Sequence, residues 1–149
     1  MTGKKPSEMA HIESALKIGE AALAALERMV EVLEAARSHG QWDLLTPGFA
    51  PKLLKHERLD EAEELAEDAH EDLADFGRAL RRLDPASDFA SRFEIDRLSR
   101  LNDFLWNGPL TTWLAQRGIV DSLDRVNRIA NDLSKVLDGL SEHRRALRR

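Results

Sequence analysis

Apolar residues recur at alternating intervals of three and four along most of this 149-residue chain. That spacing keeps side chains on one face of an α-helix and scatters them over both faces of a strand. No segment alternates with a period of two, so the chain reads as all-α. The spacing breaks at a few Gly and Pro positions, which divide the chain into four long helical segments. The expected fold is therefore an up-down-up-down four-helix bundle in a single domain over residues 1–149.

The first helix is expected over about residues 7–38, with Ser7 as its N-cap and Gly40 as its stop. Met9, Ile12, Leu16, Gly19, Leu23, Leu26, Val30 and Leu33 form one stripe. Ile18, Ala22, Ala25, Met29, Val32 and Ala36 form a second stripe beside it. A bundle helix ordinarily needs one broad apolar face. Two stripes mean that this helix serves several partners within the chain, or that its second stripe meets another copy. A homodimer through helix 1 is the expectation, with Ile18, Ala25, Met29 and Val32 at its interface.

The second helix is expected over about 56–83, ended by Asp84-Pro85. Its stripe runs through Leu59, Ala62, Ala66, Ala69, Leu73, Phe76, Leu80 and Leu83. A third helix, about 86–106, is less regular and stops at Asn107-Gly108-Pro109. The last is expected in two pieces, 109–117 and 119–147, separated by Gly118. Its stripe of Ile119, Leu123, Val126, Ala130, Leu133, Leu137, Leu140 and Leu147 would pass through Arg144, so its final turn is expected to fray.

The connection from Gly40 to Lys55 is long for a bundle loop, and it is apolar. It holds Trp42 and Phe49. In an up-down bundle it lies at the same end as the corner that holds Trp106 and Trp113. These four aromatics are expected to plug the core or to line a pocket or interface there.

Composition closes several routes. There is no cysteine, so disulfides, thiolate metal sites and cysteine nucleophiles are excluded. The net charge of −5 argues against nucleic acid as a partner. No window approaches the ~20 apolar residues of a membrane span. The short polar N-terminus does not read as a secretory signal. Arginine outnumbers lysine, a codon trace of a GC-rich genome, and a bacterial, cytoplasmic protein is expected.

Three patterns bear on chemistry. Glu8-x-x-His11 and Glu67-x-x-His70 each match the Glu-x-x-His element of ferritin-like di-iron bundles. Antiparallel packing would hold the two roughly tens of ångströms apart along the axis. Glu63-Glu64-Leu65-Ala66-Glu67 resembles the first half of the Mg²⁺-binding motif of all-α nucleotide pyrophosphohydrolases. The second half, on a following helix, is missing. Carboxylates dominate from Glu57 to Asp75, which reads as a solvated face, available to a basic partner, with Arg125 and Arg128 as candidate interhelix counter-charges. The histidines never form His-x-x-x-His. No catalytic residue, metal or cofactor is expected. The leading expectation is a non-enzymatic interaction module, a small adaptor or regulatory protein. The alternatives are a small-molecule-binding bundle with an aromatic end pocket and a metal-dependent all-α nucleotide pyrophosphohydrolase.

Overall fold

A computed structural model describes residues 4–38, 57–83 and 110–148, with side chains at 8–35, 37, 60–83 and 118–148. The described residues are all-helical and contain no strand. They form α1 (Lys4–Ser38), α2 (Glu57–Arg81) and α3 (Leu110–Arg148). The helix expected over 86–106 and the apolar connection from Gly40 to Lys55 lie outside the described residues.

Local chemistry accounts for the helix boundaries. α1 begins at Lys4, so Ser7 sits inside the helix and is not its cap. Pro6 permits this early start, because N–H groups in the first turn have no intrahelical acceptor for proline to forfeit. α2 tightens at its end: Arg82 N–H donates to the Ala79 carbonyl at 3.2 Å, and Leu83 N–H to Leu80 at 3.1 Å. These bonds span three residues, the narrower turn common at helix ends. They fall directly before Asp84-Pro85.

In α3 the break at Gly118 is present. Gly118 has φ 77° and ψ 169°, a conformation that is essentially glycine's alone. The helix resumes at once, and the buried Ser122 hydroxyl donates to the Gly118 carbonyl at 2.7 Å. That bond gives the buried hydroxyl an acceptor one turn back, at the break itself.

Contacts across the helices fix their directions. Gly19 lies against Phe76 of α2, and Arg28, further along α1, reaches back to Glu61. Gly19 also lies against Leu137 of α3, while the earlier Glu13 meets the later Arg148. Both α2 and α3 are thus antiparallel to α1 and parallel to each other. α1 packs extensively on both, whereas α2 and α3 barely touch.

This arrangement explains the two stripes of α1. Arg28 lies one turn from both Ala25 and Val32 and contacts α2, so the second stripe faces α2. Glu13 flanks Met9 and Leu16 and contacts α3, so the outer edge of the first stripe faces α3. Ala22 and Met29 are fully buried, and Val32 is 6% exposed. Met29 and Val32, expected at a dimer interface, lie in the chain's own core. Ile18 and Ala25 sit at its margin, packed against it. The core continues through Ile12, Leu26, Leu33, Phe76, Leu80, Val126, Ile129, Leu133 and Leu140. Each such large side chain contributes about 1.5–3 kcal/mol by leaving water.

Gly19 has a specific role where the three helices meet. A Cβ there would stand 2.5 Å from Leu137 Cδ2 and 2.8 Å from Phe76 Cε1. The missing side chain lets an aromatic ring and a leucine share one level of the core.

Candidate functional site

The final turn of α3 does not fray. It stays helical through Arg148, with Leu147 packed against the core. The expectation failed at Arg144, whose half-buried side chain interrupts the apolar stripe without ending the helix. Two contacts join this turn to the start of α1. His143 Nε2 stands 3.7 Å from Glu8 Oε1, an ion pair when the histidine is protonated, with side chains 16% and 14% exposed. Arg148 reaches Glu13 at 3.4 Å on the surface. Arg148 of the basic C-terminal run thus pairs with α1. Sequence spacing could not show this, because a pattern within one helix carries no information on the register between two.

α2 carries the strongest charge feature. Asp60, Glu64, Glu67, Asp68, Glu71 and Asp75 are exposed along its outer side. Glu64–Asp68, Glu67–Glu71 and Glu71–Asp75 are like-charge pairs four residues apart, and each costs a few tenths of a kcal/mol. Arg28 of α1 supplies counter-charge near one end, bonding Glu61 of α2 at 3.1 Å as well as Glu31 of its own helix at 3.3 Å. Those two carboxylates hold the Arg28 guanidinium yet more firmly protonated, Glu31 first. Of the candidate counter-charges Arg125 and Arg128, Arg125 pairs with Asp121 on its own helix, at 3.4 Å.

Asp72 records this repulsion. Burial pushes its carboxyl above the usual range, and Asp68, Asp75 and Glu71 push it further. A raised folded-state value makes ionised Asp72 a cost to stability above that value. The cost disappears as pH falls towards the ordinary carboxylate range. Asp72→Asn should therefore stabilise the chain by about 0.5 kcal/mol at pH 7, with the gain shrinking in acid. Thermal melts at pH 7 and pH 4 check this, and an equal gain at both would refute it.

The expected metal patterns do not converge. Glu64 and Glu67 are exposed, and Glu63 is half-buried on the same helix. Among the described residues, no group of three or more His, Asp or Glu side chains is placed to hold a metal ion. The contacts Gly19–Phe76 and Arg28–Glu61 put Glu67 about 25 Å from Glu8 along the axis, so the two Glu-x-x-His motifs stay apart.

Trp42, Phe49 and Trp106 fall outside the described residues. Trp113 lies in α3 ahead of Gly118, in a stretch where the backbone alone is described. Among the described residues, the exposed large hydrophobic is Val120, at 53%. No helix described is long and apolar enough to cross a membrane. No family model matches the chain, and neither the curated proteins nor the solved structures compared with it gave a match.

Proposed function

We propose that the chain is a non-enzymatic interaction module, a small cytoplasmic adaptor or regulatory protein built as an up-down-up-down four-helix bundle. The bundle reading is supported by direction: α2 and α3 run parallel on either side of α1. That is the relation of the second and fourth helices in such a bundle, with the expected helix over 86–106 as the return between them. The function reading rests on one observation. The apolar stripes of the described helices are spent inside the chain, while α2 turns a long self-repelling acidic face outward. A surface of that kind recognises by charge, giving specificity and fast association more than high affinity. In this reading, dimerisation through helix 1 would use only the margin residues Ile18 and Ala25.

Cross-linking followed by mass spectrometry tests the proposal against the hydrolase alternative. Wild-type protein should capture a protein partner that a Glu64→Lys/Glu67→Lys variant of unchanged helicity does not. Nucleoside triphosphate hydrolysis with Mg²⁺, abolished by Glu64→Gln, would sink the reading and favour the pyrophosphohydrolase.

A further inference from the structure

The outer side of α2 is one continuous exposed stripe of two opposite charge blocks. Asp60, Glu64, Glu67 and Glu71 follow one another at intervals of three and four. Arg78 and Arg82 continue the same stripe and are also exposed. Helix dipole preferences favour this order of signs, but only within the first and last turns. The acidic block runs well beyond the first turn.

Among the described residues, the two blocks have little means of meeting each other. From Glu67 to Arg82 along a straight helix is about 22 Å, beyond the reach of two side chains. Arg78 bonds to Asp75, one turn away, and Asp75 is itself crowded by acids. Arg148 at the end of α3 is engaged with Glu13 of α1.

We propose that the outer face of α2 pairs with the same face of a second copy, antiparallel across a two-fold axis. This deepens the interaction-module reading by naming a second copy as a partner. Antiparallel pairing sets Glu67 and Glu71 of each copy against Arg82 and Arg78 of the other. A two-fold forms each complementary contact twice and closes the assembly. Parallel pairing would oppose like charges along the whole stripe. The contact has no apolar centre, so the dimer is weak and dissolves as salt shortens the range of charge interactions.

Sedimentation velocity on the full chain, at 20 and 500 mM salt and up to roughly millimolar protein, tests this with two charge-reversed variants. Wild type should dimerise at low salt, with association falling about tenfold or more at high salt. Arg78→Glu/Arg82→Glu and Glu67→Arg/Glu71→Arg should each be monomeric, and their equimolar mixture should form a heterodimer. All four positions are exposed, and far-ultraviolet circular dichroism checks that each variant is folded. A wild type that stays monomeric at low salt would overturn the inference, as would a mixture of folded variants that does not associate. A dimer indifferent to salt and to both variants would also overturn it, pointing instead to the Ile18 and Ala25 margin. A monomeric wild type leaves the interaction-module reading to its own cross-linking and hydrolysis tests.

Discussion

Met29→Glu should unfold most of the chain. Met29 is fully buried on the stripe of α1 that faces α2. A carboxylate there would replace an apolar side chain of the core, and an uncompensated buried charge costs on the order of 3–5 kcal/mol. That is a large share of the ~5–15 kcal/mol that holds a typical domain together. Ala25→Glu is the control. Ala25 lies on the same stripe but at the margin of the core, where a glutamate can turn outward. It should cost about 1 kcal/mol and leave the helical signal intact. Circular dichroism melts of the two variants check the contrast. If Met29→Glu keeps its melting temperature and changes only the mass of the particle, the second stripe belongs to an intermolecular interface.

Filling the space at Gly19 with a large side chain should be nearly as damaging, and with a small one less so. Alanine would gain roughly 1 kcal/mol in helix propensity. It would also put a carbon 2.5 Å from Leu137 Cδ2 and 2.8 Å from Phe76 Cε1. The leucine end can swing aside, but the ring is packed between helices and cannot move alone. Overpacking of that kind costs about 1–3 kcal/mol, so Gly19→Ala is destabilising by about 1 kcal/mol net. Gly19→Leu adds three more atoms at the same point and should cost more than about 3 kcal/mol. Denaturant titrations measure both. The cause is checked by Gly19→Ala/Leu137→Ala, which should be more stable than the sum of its single variants implies. Strict additivity would show that Gly19 does not work through Leu137.

Much of this arrangement was legible from residue spacing. The double stripe of α1 marked a helix with more than one partner, and Gly118 marked the break in α3. The acidic side of α2 was visible as outer-face positions. Other features lay beyond a one-dimensional pattern. Which partner the second stripe served depended on helix register, which contacts such as Arg28–Glu61 reveal. The Glu8–His143 pair joins residues near the two ends of the sequence. Spacing within α1 or α3 carries no trace of that contact. Ser7 misled because proline in a first turn lets a helix begin ahead of a good cap. Arg144 misled because the packing of Leu147 carries the helix past one charged residue. The aromatic group of Trp42, Phe49, Trp106 and Trp113 rests on sequence alone.

The central claim is that α1 is the shared core helix, with both of its apolar stripes used by α2 and α3. Native-state hydrogen exchange resolved by residue tests it most directly. Amides from Leu16 to Leu33 should be the slowest in the chain and should exchange only through global unfolding. Those in the acidic half of α2, which has one extensive partner among the described helices, should open at lower free energy. Exchange in the middle of α1 as fast as in α2 or α3 would contradict the account, because a helix packed on both sides cannot open before its neighbours.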